Sequence, residues 1–314
     1  MYRKADKQSL WQGRSDANQD EYIYQIIQQL AIDELNPSSG FGLIGFASDE
    51  GIRRNLGRIG AKEGPDAIRC ALASIAINKK LNLYDLGDVL CLDGDLERAQ
   101  NELAKIVKLT IDKGLLPIVL GGGHETAWGH FLGIDQAYAA QEDIAIINFD
   151  AHLDLRSLMK GKYASSGTPF YQISEHLKHN LRLFNYYCAG VQPLANTTSL
   201  FDYAKKHQVK INLAETINAN PYDLGFIETI INQHKKIYVS VCLDVFQAAI
   251  APGVSAPQSM GIDTTYVVEA LKLLAVSNAV VGIDIVELSP RYDIDRRTAK
   301  LAASLLSIFL MAYH

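Results

Sequence analysis

Eight short apolar, β-branched runs recur along this chain, and helical patterns separate most of them. The runs are Phe41–Ala47, Asn82–Leu86, Leu116–Leu120, Ile144–Phe149, Arg182–Ala189, Gln208–Ile211, Ile237–Leu243 and Ala279–Ile285. The strongest are nearly continuous hydrophobics, the pattern of strands buried on both faces of a parallel sheet. Pro65 opens one helix with proline inside the first turn. Asp95 to Lys113 is amphipathic and stops at Gly114, and Asp263 begins a helix that runs to Ser277. This alternation predicts an α/β fold, three layers deep (α/β/α), around a mainly parallel eight-stranded sheet.

A length of 314 residues fits two domains or one large α/β domain. No internal repeat or low-complexity linker divides the chain. Residues 41–314 therefore read as one catalytic domain and residues 1–40 as an N-terminal extension. Asn36–Gly40 is the expected turn into the first strand. The balance of 48% hydrophobic and 21% charged residues excludes disorder and coiled coil. A net charge of −5 with no basic block argues against nucleic acid and anionic membranes as partners. No apolar core follows Met1–Lys7 that could act as a signal peptide. The most apolar helical stretch, Leu301 to Ala312, is too short to span a bilayer. Four cysteines without CxxC spacing lead us to expect a reducing, cytoplasmic setting.

Function in open α/β sheets collects at the carboxyl ends of strands, and four such ends carry polar residues. Gly121-Gly122-Gly123-His124 follows the third run; alone it also suits a phosphate-cradling turn or a tight corner. Asp150-Ala151-His152-Leu153-Asp154 follows the fourth. In extended backbone its two carboxylates and imidazole project to one side, a donor set suited to Mn²⁺, Fe²⁺ or Zn²⁺. Asp244 ends the seventh run, where burying an unpaired carboxylate is costly. Cys242, two residues earlier, points the same way, although a small buried hydrophobe is the commoner fate of cysteine. Asp284 and Glu287 end the eighth run, and a carboxylate there suits a planar cationic group.

These blocks, in this order, resemble the ureohydrolases, the arginase–agmatinase superfamily of dinuclear manganese hydrolases. Gly57–Arg69 is similar to that family's N-terminal signature. Ser240–Gly253 is similar to its third metal block, which ends in Ala251-Pro252-Gly253. Arg53–Arg58, His152–Arg156, Ser165–Phe170 and Val254–Pro257 most resemble the formimidoylglutamase branch. The resemblance implies hydrolysis of a C–N bond in a linear amidine: N-formimidoyl-L-glutamate and water give L-glutamate and formamide, a step of histidine breakdown. It implies two Mn²⁺ ions and a hydroxide formed on them. One ion would take His124, Asp150, Asp154 and position 242, the other Asp150, His152, position 242 and Asp244. Asp150 and Glu287 would be catalytic, with Glu287 holding the amidinium. Arg156 is the first candidate for a substrate carboxylate, followed by Arg54 and Arg58, with Ser166 in the substrate loop. A homo-oligomer, trimer or hexamer, is implied as well.

Two places depart from the family pattern, Cys242 and Gln247-Ala248, the latter where many ureohydrolases have Asp-Pro. Cys242 stands where a bridging aspartate is usual, and a thiolate is softer than Mn²⁺ prefers. One ion, or Zn²⁺, is the alternative this raises, as is a metal-poor relative without turnover. A guanidino substrate, as in agmatinase or arginase, is the other alternative. No residue matches the arginase histidine proton shuttle, and Phe170 stands near where it is expected.

Overall fold

All eight runs form strands, and two short strands precede them. The computed structural model describes residues 1–6, 8–36, 39–138 and 143–313. The strands are β1 (Tyr2–Arg3), β2 (Gln28–Gln29), β3 (Gly40–Ala47), β4 (Leu83–Leu90), β5 (Leu115–Leu120), β6 (Ala145–Phe149), β7 (Tyr186–Val191), β8 (Lys210–Leu213), β9 (Ile237–Cys242) and β10 (Val280–Val286). They make one sheet in the order β1-β4-β3-β5-β10-β9-β6-β7-β8, with β2 also paired to β4. Only the β1–β4 pairing is antiparallel among these. Among the described residues, ten strands replace the eight expected. The two extra ones are two residues long, too short to show any period-two pattern.

Residues of the central strands alternate between two hydrophobic layers. Ile237, Val239 and Val241 of β9 face a core shared with the helices Gly64–Ala73, Thr264–Val276 and Arg297–Ala312. Tyr238 faces the opposite core, shared with the helices Leu96–Asp112, Thr126–Ala137 and Pro169–His179. The C-terminal apolar stretch thus packs inward through Leu305, Leu306, Phe309 and Leu310. No described helix is long and apolar enough to cross a membrane.

Two buried carboxylates of β4, Asp85 and Asp88, anchor Arg3 and Trp11 from the N-terminal segment. Arg69 is fully buried and donates to Asp85 at 2.8 Å and to Asp88 at 2.8 Å. Arg3 reaches Asp88 at 2.6 Å, and the Trp11 indole N–H donates to Asp85 at 2.9 Å. In the turn expected at Asn36–Gly40, Pro37 and Ser38 lie outside the described residues. What matters for function is the run β5-β10-β9-β6. These four strands are neighbours, so all four polar strand ends open on one side of one stretch of sheet.

Candidate metal centre

Each of the four ends is shaped by local backbone. His124 follows β5 through three glycines. A Cβ on Gly122 would lie 1.8 Å from the Ser48 carbonyl oxygen, so only glycine lets this backbone approach. Asp150 comes directly after β6, but the chain then bends. Asp150 Oδ1 accepts the His152 N–H at 2.7 Å, and Asp154 has φ 47°. The extended spacing expected for Asp150, His152 and Asp154 is therefore corrected: a turn, not a strand, brings the three together. A short carboxylate that hydrogen-bonds the backbone two residues on favours such a turn. Glu287, after β10, has φ 73°. Strained non-glycine backbone of this kind clusters at functional sites.

The donor atoms fall into two groups that share Asp150. His124, Asp150 and Cys242 each offer an atom within 4.8 Å of the others, and so do Asp150, His152 and Asp244. His124 Nδ1 lies 2.9 Å from Asp150 Oδ2 and 3.0 Å from Asp154 Oδ2. His152 Nδ1 lies 3.1 Å from Asp244 Oδ2 and 3.4 Å from Asp150 Oδ1.

The electrostatics of both groups call for cations. His124 Nδ1 and Asp244 Oδ1 are buried without a hydrogen-bond partner among the described residues, one such atom in each group. Burial and the neighbouring Asp150 charge push the Asp154 carboxyl up. The same two causes raise Asp244 to about 6. Burial works against the charged form of His152, but Asp244 and Asp150 outweigh it and carry the ring up to about 12. His124 is likewise raised by Asp150 and Asp154 against burial. Burial also opposes ionisation of Asp150, yet the neighbouring His124 and His152 rings hold it well below the usual carboxylate range. The acids thus compete for too little positive charge, which two divalent cations would supply. Cys242 is the softer donor in the set. Burial, then Asp150, Asp244 and Glu287, push its thiol up, and only a bound cation would make it a thiolate.

His124, His152, Asp154, Cys242 and Asp244 line a cavity of about 140 Å³, together with Asn55, Arg156, Ser166, Ser255 and Glu287. A wider cavity of about 610 Å³ adjoins it and shares Asn55, Arg156 and Leu200. Glu287 is held by both oxygens: Oε1 accepts the His124 N–H at 2.7 Å, and Oε2 accepts the Ser255 hydroxyl. Burial and the Asp244 charge raise it to about 8. A cation docking against it would bring it back to the charged form.

The Arginase family model matches residues 39–312. A Legionella pneumophila protein named formimidoylglutamase is 41% identical over 313 residues, covering 98% of this chain and 97% of its own. The chain belongs to the arginase family.

A formimidoylglutamase from Chromobacterium violaceum is 44% identical over 299 residues, covering 94% of this chain and 95% of its own. A variant of Trypanosoma cruzi formiminoglutamase solved with Mn²⁺ superposes with a TM-score of 0.78 at 25% identity, covering 97% and 96%.

In this arginase-family chain the three candidate arginines part company. Arg54 donates to Glu50, Glu97 and the Gly94 and Ala164 carbonyls, so its guanidinium is turned into the protein. Arg58 donates to the Val254 and Ser255 carbonyls and stacks over Tyr292 at 4.3 Å. It clamps the loop that carries Ser255. Arg156 alone stays exposed at the cavity, with no ion pair among the described residues. Ser166 accepts from Asn55 Nδ2 at 3.1 Å on the same wall. Phe170 is buried and sets its ring edge-to-face against His124, centroids 5.3 Å apart. Reading the sequence missed Asn196, whose side chain accepts the Leu153 N–H and donates to the Ala151 carbonyl. It pins the bend that carries His152. The Leu153 and Ala151 partners lie more than 40 residues away, and no local pattern marks such a contact.

Proposed function

We propose that this chain hydrolyses N-formimidoyl-L-glutamate to L-glutamate and formamide, with Mn²⁺ as its metal. The carrying observation is the polarity of the small cavity. Its lining holds a buried carboxylate, Glu287, and an exposed guanidinium, Arg156, the one arginine or lysine among its lining residues. A substrate with an amidinium at one end and a carboxylate at the other matches both. The names of the relatives at 41% and 44% identity support the same reading.

His124, Asp150, Asp154 and Cys242 would hold one ion, and Asp150, His152, Cys242 and Asp244 the other. When bound, such ions lower the pKa of a water toward neutrality. Glu287 would accept the amidinium N–H groups and fix the amidine carbon over the cluster. Arg156 would bind a substrate carboxylate by its planar fork. The Asn55–Ser166 pair would limit the width of the slot. Water adds to the amidine carbon, the bond to the glutamate nitrogen breaks, and that nitrogen leaves as the amine of L-glutamate. A cytoplasmic homo-oligomer, trimer or hexamer, with its catalytic unit in residues 41–314, is the corresponding expectation, and light scattering of the purified chain tests the assembly.

The deciding experiment measures formamide and glutamate release from N-formimidoyl-L-glutamate with Mn²⁺, Zn²⁺ or chelator. Release that needs a divalent ion is expected. No release with either ion, or full release after chelation, overturns the reading. Arg156→Met should lower kcat/KM about 10- to 150-fold, the worth of a charge-assisted hydrogen bond. Agmatine, which has no carboxylate, should not be turned over faster than the formimidoyl substrate.

A further inference from the structure

Behind His124, away from the cavity, runs a buried polar chain that the proposed reaction does not use. His124 Nε2 lies 3.0 Å from Ser240 Oγ. Ser240 Oγ lies 2.6 Å from Asp284 Oδ1. Asp284 Oδ2 meets His130 Nδ1 at 2.8 Å and also accepts the Tyr238 hydroxyl. Asp284, Ser240, His130 and Tyr238 are all fully buried. Ser240 and Asp284 sit opposite each other in the β9–β10 register, so the sheet itself sets their spacing.

Counting donors and acceptors gives this chain a direction. Ser240 Oγ donates the one proton it owns to Asp284 Oδ1. Ser240 Oγ then has only lone pairs left for His124, and His124 Nε2 must carry a hydrogen. The lone pair of a neutral ring is thereby left on Nδ1, the atom that lies between Asp150 and Asp154 without a hydrogen-bond partner among the described residues. Phe170 packs edge-to-face on the ring and opposes its rotation.

We propose that Ser240 and Asp284 are positioning residues that fix His124 as the Nε2–H tautomer, with Nδ1 presented to a divalent cation. Tyr238 and His130 anchor Asp284. The proposal rests on the metal-centre reading above but not on the substrate. Partners of this kind on a metal-bound imidazole are typically worth 10- to 100-fold in metal affinity.

The test is Mn²⁺ and Zn²⁺ affinity by calorimetry on the whole chain. Ser240→Ala should weaken binding about 10- to 100-fold, while Ser240→Thr, which keeps the hydroxyl, should stay within about threefold of the parent. Metal-free melting temperatures, measured alongside, separate a loss of stability from a loss of metal affinity. In the Zn²⁺-loaded parent, nitrogen-15 spectra should show a hydrogen-bonded, exchange-protected proton on His124 Nε2 that Ser240→Ala loses. Should Ser240→Ala fail to fold, Ser240→Cys keeps the volume while weakening the hydrogen bond. Equal affinity in parent and Ser240→Ala, or a proton found on Nδ1 of the loaded parent, overturns the proposal. A parent that binds neither ion overturns the metal centre and this proposal with it.

Discussion

Replacing Cys242 with Asp puts the proposed role of this position under direct test. Cys242 is 1% exposed, and its Sγ lies within 4.8 Å of an Asp150 oxygen. As a neutral thiol it adds no charge to the metal-free cluster. A carboxylate there would add one beside Asp150. At an effective dielectric of 20, that separation corresponds to a repulsion of about 3.5 kcal/mol. At the usual unfolding entropy per residue, the metal-free Tm should fall by about 5 °C. Mn²⁺ prefers oxygen to sulfur, and binding it removes the repulsion. The Mn²⁺-induced rise in Tm should therefore exceed the parent's by about the same 5 °C. The Mn²⁺ Kd should tighten by up to about 300-fold. The parent should gain relatively more from Zn²⁺, which tolerates a thiolate better. Scanning calorimetry with chelator, Mn²⁺ and Zn²⁺ reads all of these. An unchanged metal-free Tm together with an unchanged Mn²⁺ shift would mean that position 242 does not face the ions.

Three further outcomes follow from particular contacts. Glu287→Gln keeps the shape but removes the charge facing the amidinium, and kcat/KM for the formimidoyl substrate should fall about 10- to 150-fold, read in the formamide assay with metal content held equal. Arg58→Lys loses the fork that clamps the Val254 and Ser255 carbonyls, so the Ser255 grip on Glu287 loosens; KM should rise about tenfold, of the order of one lost hydrogen bond, with Mn²⁺ affinity unchanged. Arg69→Met leaves Asp85 and Asp88 short of their buried partner, and chemical denaturation should show a loss of about 3–5 kcal/mol, whereas Arg14→Met, at an exposed pair with Asp16, should leave the denaturation midpoint unchanged.

The strands were legible because burial on both faces leaves an unbroken apolar signature, and each polar strand end stood out against it. Their order was not. β5 lies beside β10, with Ile118 opposite Ile283, and β6 beside β9, with Ile147 opposite Val239, and periodicity carries no trace of pairings so distant in sequence. The arginines were the least legible. Arg54 and Arg156 look alike in sequence, yet Arg54 finds Glu97, 43 residues on, and Arg156 finds no acid among the described residues. Ser240 left a signal that could have been used. It shares one face of β9 with Tyr238 and Cys242, because side chains alternate along a strand. A polar stripe on one face of an otherwise apolar strand cannot face the core unsatisfied, so it had to meet partners from a neighbouring strand. Asp284, in the run that became β10, is that partner.

Charge balance ties the candidate site together. With neutral imidazoles, Asp150, Asp154 and Asp244 bring three negative charges to the two donor groups. Two divalent ions bring four positive ones. The difference is the one charge that Cys242 supplies only as a thiolate, and a coordinating thiol is deprotonated. On this reading the chain does not lack its fourth charge. It holds that charge in reserve on a group that burial keeps neutral until cations arrive. Glu287 stands outside this balance, and its partner must come with the substrate. Arg156 stands outside it as well, with the opposite sign. A molecule that neutralises both must carry an amidinium and a carboxylate together, which a simple guanidino amine does not.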